Sequence, residues 1–149
     1  MSKLFIIRGI PGSGKSTTAA HLKSHLIKFG YTENDIVHAE ADMYFMDEAG
    51  NYNFDASKLG IAHEICFNTI ETALKENKVA IVSNTFVDAK SVEKYIKLAN
   101  KYDAELTIYR RATEFNSIHN VPKAAIDRMR ENFADIQGEI ILNTNLLKC

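Results

Sequence analysis

The sequence predicts an α/β fold, a mostly parallel sheet of about five strands with helices on both faces. Three observations predict it. Short apolar runs alternate with stretches of helical period along the whole chain. At 149 residues the chain suits one hydrophobic core around one sheet, so residues 1–149 are expected to form a single domain. With 46% hydrophobic residues, 25% charged residues and two prolines, the composition is that of a globular rather than a disordered or fibrous chain.

Lys3–Arg8 is rich in Leu, Phe and Ile and reads as a buried parallel strand running straight into glycines. Lys15–Phe29 follows as a helix, with Ala19, Leu22, Leu26 and Phe29 at helical spacing and Gly30 as its stop. Ile36–Ala41 is the second expected strand, and its end delivers Asp42. The loop of about fifteen residues that comes next is long for a compact domain, which marks it for function. Asp55 is the expected N-cap of a long helix whose buried stripe is Leu59, Ala62, Cys66, Ile70, Ala73 and Leu74. Val79–Ser83 is the third strand. Asp88 caps a helix with Ala89, Val92, Ile96 and Ala99 facing inward, and Glu105–Tyr109 is the fourth strand. Pro122 suits the first turn of a last helix, and Glu139–Leu142 a last strand. There is no internal repeat. Such an alternation places ligands outside the carboxyl ends of the strands.

No apolar run is longer than that of Leu4 to Ile7, far too short to span a bilayer, which needs roughly 20 residues. No cleavage-site pattern follows the N-terminus, so a cytoplasmic protein without membrane association is expected. Cys66 in a helical pattern and Cys149 at the end suit two free thiols. The net charge of −1 is unevenly spread. From Phe29 to Ser57 there is no Lys or Arg, while Glu33, Asp35, Glu40, Asp42, Asp47, Glu48 and Asp55 all fall there. Arg110, Arg111, Arg128 and Arg130 gather near the other end, either as a working cluster or as a solvated face.

Gly9-Ile10-Pro11-Gly12-Ser13-Gly14-Lys15-Ser16 matches the Walker A pattern at every fixed position and lies between a strand and a helix, the context the pattern needs. The glycines let backbone N–H groups turn inward and phosphate oxygens approach without a Cβ in the way. Gly9, Pro11, Gly12, Ser13, Gly14, Lys15, Ser16 and Thr17 are therefore the expected ATP-binding residues. Lys15 is placed on the β and γ phosphates, Ser16 on Mg²⁺, and the helix N-terminus adds its partial positive charge.

The ten residues Arg8 to Thr17 resemble the P-loop of the polynucleotide kinase-like P-loop kinases, an AAA-type group related to zeta toxins. The resemblance continues in Asp42 to Met46, Gly50 to Asp55, Leu59 with Ala62-His63, Asn84-Thr85, Val121-Pro122 and Ile126 to Met129, so it covers about residues 4 to 130. It implies a single-domain P-loop kinase fold, ATP and Mg²⁺ as cofactors, and a polynucleotide 5′-hydroxyl or nucleoside-like acceptor. In-line transfer needs a base opposite the leaving phosphate. The resemblance assigns that role to Asp42, whose bland alternative is a loop carboxylate. Tyr44 and Asn84 join it on the acceptor side; aromatic Tyr44 and Phe45 either stack on a planar substrate or pack the loop. Glu40 is a candidate to hold magnesium through water, and His63 faces either the acceptor pocket or its own helix surroundings.

Departures from the family pattern shape the rest. The third strand ends Ser83-Asn84-Thr85-Phe86 where vertebrate members of the family have Asp-Asn-Thr-Asn, which removes a magnesium-holding carboxylate. Phe45 stands where phage members of the family have an arginine, and Met43 replaces a second aspartate. The segment Arg110 to Asn120 is short and lacks the family's arginine beside Asn116, so Arg111 or Arg128 takes its catalytic place. Three functions remain open: a kinase of nucleic-acid 5′ ends or nucleosides, a small-metabolite kinase, and a nucleotide-binding switch with weak or no catalysis. The oligomeric state is not legible.

Overall fold

The computed structural model describes residues 2–112 and 122–142. Among them five strands, β1 (Lys3–Arg8), β2 (Ile36–Ala39), β3 (Val79–Asn84), β4 (Glu105–Arg111) and β5 (Ile140–Leu142), form one sheet in the order β2-β3-β1-β4-β5. Every pairing is parallel; Lys3 lies opposite Val79 on one side and Glu105 on the other. The α-helices of these residues are α1 (Lys15–Lys28), α2 (Leu59–Lys75), α3 (Ala89–Lys101) and α4 (Lys123–Glu131).

Strand periodicity sorts the core into two layers. Leu4 and Ile6 of β1 and Ala80 and Val82 of β3 pack against Cys66, Ile70 and Ala73 of α2 and Val92, Tyr95 and Leu98 of α3. Ile7, Val79 and Ile81 point the other way, toward Ala19, Leu22 and Leu26 of α1. Each fully buried Ile or Leu contributes about 1.5–3 kcal/mol, so these two layers account for most of the gross stabilisation. The chain leaves β1 by way of α1 on one face and leaves β3 by way of α3 on the other. The crevice between the carboxyl ends of β1 and β3 is thus the topological switch point, where such sheets bind ligands.

Four details differ from the sequence expectation. The second strand stops at Ala39, because the amide of Ala41 turns to the Asn84 Oδ1, at 2.8 Å, and the chain enters a 3-10 turn over Ala41–Phe45. Asp42 therefore sits on that turn. Phe29 is 74% exposed and rests against His25, because Gly30 reverses the chain in the left-handed region, φ 107°, and Tyr31 packs on the core instead. Leu59 lies at the rim of α2, behind a 3-10 turn over Ala56–Lys58 that Asp55 caps through Ser57. On α3, capped by Asp88 as expected, Ala89 is exposed and the stripe is rotated onto Tyr95 and Leu98; Tyr95 packs edge-on against Phe67 and Phe86.

Arg8, the last residue of β1, is fully buried. Its Nη1 donates to Glu139 Oε1 at 2.7 Å, while Nε and Nη2 donate to the Phe86 carbonyl at 3.1 and 2.7 Å. Phe86 adopts a left-handed φ of 49°, which aims that carbonyl at Arg8. Both Arg8 and Arg110 lie on the Phe133 ring, 4.2 and 4.6 Å from its centre. Burial pushes the Arg8 guanidinium down and Glu139 pulls it back up. No helix among the described residues is long and apolar enough to cross a membrane.

Candidate nucleotide and acceptor site

The loop between β1 and α1 is anchored at its start by the Gly9 amide, which donates to the Thr85 carbonyl at 3.2 Å. A Cβ on Gly9 would stand 2.4 Å from Ser13 Oγ and 3.0 Å from the Arg111 carbonyl, so space alone demands glycine there. Gly12 and Gly14 take φ of 81° and 93°, which steer the backbone round into α1. The Ser13 amide closes a turn onto Ile10, and the Ser13 carbonyl accepts from Arg111 Nε at 3.1 Å. Buried Ser13 Oγ has no hydrogen-bond partner among the described residues. Pro11 is partly buried on this loop and Thr17 is exposed on the first turn of α1, whereas Thr18 is buried and its hydroxyl bonds back to Gly14 at 2.9 Å.

Lys15 opens α1, and its Nζ donates to the Ile10 carbonyl at 3.1 Å. Burial pushes its ammonium down to about 8, against the opposing pull of Glu40 and Asp42. Both carboxylates therefore lie within electrostatic reach of it. Ser16 Oγ donates to Glu40 Oε1 at 2.7 Å. The same oxygen accepts from Ser83 Oγ at 2.6 Å, and His38 Nε2 lies 2.7 Å from Ser83 Oγ and 3.2 Å from Glu40 Oε1. Burial alone would raise the Glu40 carboxyl, but the hydrogen bonds from His38, Ser83 and Ser16 outweigh it and bring it down to about 2.

The residues expected on the acceptor side rise from the turn after β2. Tyr52 donates to Asp42 Oδ1 at 3.1 Å, and burial together with that carboxylate pushes the Tyr52 phenol up to about 12. Tyr44 is 38% exposed and stands edge-on to buried Phe45, which also packs against Tyr52 and Phe54. Asn84, grouped with the substrate contacts from sequence, uses its Oδ1 on Ala41 and its Nδ2 on Cys66 Sγ, 3.7 Å away, so it holds the backbone beside Asp42. Cys66 is buried and free, and burial pushes its thiol up; Cys149 lies outside the described residues. His63 on α2 feels burial downward and the Asp42 charge upward, which places the two near each other.

The arginines do not form one cluster. Neighbouring Arg110 and Arg111 point to opposite sides of β4: Arg111 is buried against the loop, and Arg110 joins Phe133, Asp135 and Glu139. Burial lowers the Arg111 guanidinium. Arg128 is exposed on α4, and Arg130 pairs with Asp127 at 3.1 Å. Most of the short segment between β4 and α4, residues 113–121, with Asn116 and Val121, lies outside the described residues.

A family model described as AAA domain matches residues 4–136, most of the chain. The chain belongs to this AAA-domain family. An uncharacterized protein of Pasteurella multocida (strain Pm70) is 32% identical over 95% of the chain and 83% of its own length. NEDD4-binding protein 2 of Homo sapiens is 29% identical over 87% of the chain, a match that spans only 8% of that long protein. Among solved structures, the Pnkp1/Rnl/Hen1 RNA repair complex superposes with a TM-score of 0.63 at 20% identity, over 89% of this chain and 44% of the other. Kti12 of Chaetomium thermophilum, solved with ADP-AlF3, superposes with a TM-score of 0.62 at 10% identity, over 93% and 88%. The fold is the P-loop kinase fold, a parallel five-stranded sheet with helices on both faces, as the sequence predicts.

Three further residues shape the site of this AAA-domain chain. Ser83, not itself an acid, donates to one. His38 is a polar residue inside a strand-like run, and that interruption is its signal in the sequence. Arg8 closes an apolar strand, where an arginine must find an acid.

Proposed function

We propose that the chain is an ATP- and Mg²⁺-dependent phosphotransferase that moves the γ-phosphoryl group onto a hydroxyl, with Lys15, Asp42, Arg111 and Arg128 as its charged catalytic side chains. One observation carries the reading: Lys15, whose ammonium donates to the Ile10 carbonyl of the glycine loop, lies within electrostatic reach of a separate carboxylate, Asp42, that Tyr52 holds. The cradle fits a polyphosphate. Gly9 leaves room only for a residue without a side chain, Ser13 Oγ is buried without a partner, and Lys15 has a single carbonyl contact that a phosphate oxygen outbids. Ser16 at the head of α1 fits a hard cation through its hydroxyl oxygen. Magnesium, when bound, neutralises charge on the β and γ oxygens.

In the reaction Lys15 and the amides of the first turn of α1 orient the phosphates. Asp42 takes the proton of the acceptor hydroxyl as its oxygen forms a bond to the γ-phosphorus. The bond from that phosphorus to the β–γ bridging oxygen breaks, and ADP leaves with the electron pair. Asn84 fixes Ala41 and hence Asp42, and Tyr44 offers an exposed ring to the acceptor. Arg111 adds positive charge from behind the loop, while exposed Arg128 of α4, with no ion pair among the described residues, supplies charge to the transferring oxygens.

The favoured acceptor is a nucleoside-like hydroxyl, including a nucleic-acid 5′ end, met by Tyr44. A small-metabolite acceptor is the second reading. It is favoured by the absence of Lys and Arg from Phe29 to Ser57, because a long polyanion is held by phosphate contacts to basic residues. ATP dependence suits the cytoplasm. Labelled ATP offered with 5′-hydroxyl DNA and RNA, nucleosides and small alcohols tests both readings. Label on one acceptor class is the expected result. Tight ATP binding with no label on any acceptor would overturn the kinase reading in favour of a nucleotide switch.

A further inference from the structure

In P-loop proteins the hydroxyl that follows the lysine works with a strand-end carboxylate to hold magnesium. Here β3, the neighbour of β1, ends in Ser83 and Asn84 and offers none. We infer that Glu40, at the end of β2, is the magnesium-positioning carboxylate, moved one strand outward and held there by Ser83. The inference rests on the nucleotide-binding reading above and goes beyond it by naming how this chain replaces the missing acid.

Proton counting supports it. A carboxylate only accepts, so the bonds of Ser16 Oγ and Ser83 Oγ to Glu40 Oε1 use the single proton of each hydroxyl. Ser16 thus keeps both lone pairs for a metal, which is the state a ligating hydroxyl needs. Ser83 Oγ, its proton given to Glu40, can only accept from His38 Nε2, 2.7 Å away, which requires the tautomer with its proton on Nε2. The chain His38 to Ser83 to Glu40 therefore has one direction and ends on the carboxylate that touches Ser16. Only one oxygen, Oε1, takes these bonds; Oε2 takes none of them. Side-chain exposure of 14% leaves Glu40 within reach of solvent at the edge of the crevice, so it could hold a hydrated cation.

The test measures nucleotide binding, without turnover, by calorimetry with a non-hydrolysable ATP analogue, with magnesium and then with EDTA. Glu40→Gln keeps the shape and removes the charge. The expected result is a loss of at least tenfold in affinity with magnesium, and unchanged or tighter binding in EDTA, because a carboxylate beside bare phosphates repels them. A merely structural role weakens both measurements alike, and that result overturns the inference. Moving the acid back supplies the second arm: Glu40→Ser alone loses the magnesium effect, and adding Ser83→Asp restores most of it. No recovery in a double variant that melts like the parent would also overturn it. If the parent chain binds the analogue equally well with and without magnesium, the inference fails while the nucleotide reading stands. If it binds no nucleotide at all, the reading fails and takes the inference with it.

Discussion

The loop between β1 and α1 and the segment between β2 and α2 both act on Lys15, yet they are built by opposite means. The first is backbone: its shape comes from Gly9, Gly12 and Gly14, its walls from main-chain atoms of Thr85 and Arg111, and it has no room to spare. The second is side chains on a 3-10 turn, with Met43, Tyr44, Met46 and Phe54 exposed around Asp42. A phosphate presents the same oxygens whichever molecule carries it, so a fixed backbone serves. An acceptor differs from kinase to kinase, and exposed side chains can change without disturbing the sheet.

The largest break in this contrast comes from Lys15→Ala. It should lower phosphoryl transfer by about a thousandfold, as loss of a charge-stabilising group does, and abolish ATP binding by calorimetry. The melting temperature should hold or rise, since a desolvated ammonium is removed. On the acceptor side, Asp42→Asn should cost about a hundredfold in transfer rate. ATP affinity should stay within a factor of about two, because Asp42 belongs to the other half; if Asp42→Asn weakens ATP and magnesium binding together, the division between the halves is wrong.

Glycine substitution compares brittleness directly. Gly9→Ala forces Ser13 or the β4 backbone aside and should destabilise the protein by about 1–3 kcal/mol, read by urea denaturation, with weaker ATP binding. The pH profile sharpens the electrostatic half. Because the Lys15 ammonium titrates near 8 in the empty site, ATP affinity should be flat below that value and fall toward tenfold per unit above it. Stability moves the opposite way. Between about 8 and the ordinary 10.5 the unfolded chain holds the Lys15 proton and the folded chain does not, so this group stabilises the empty protein as pH rises through that window. The smallest effect is expected from Gly60→Ala on α2, where a Cβ meets open space. It should stabilise by about 0.5 kcal/mol through helix propensity and leave ATP binding untouched.

The same contrast explains what was legible in the sequence. Lys3–Arg8, the glycine loop and the start of α1 are readable because local rules fix them: strand composition, turn chemistry and a phosphate motif at fixed spacing. The end of β2 was not, since it depends on Asn84, forty-three positions from Ala41, taking the amide that a longer strand would have paired. Ser83 is a related case: its value comes from Glu40, just past the end of the neighbouring strand, a partner that no local pattern names. Arg110 and Arg111 show the limit of counting charges, because strand alternation sends adjacent arginines to different tasks.

Arg8 carries a consequence for how the chain comes off the ribosome. It is made well before its acid, Glu139, which lies 131 positions further along the chain, and before its aromatic cover, Phe133. A buried arginine without its carboxylate costs several kcal/mol, so the strand that bears the phosphate loop stays loosely seated while the chain is still being threaded out. Until Glu139 has emerged, the last residue of that strand lacks the acid that neutralises it. A chain cut short after α4 keeps the whole Walker motif and loses the clamp beneath it.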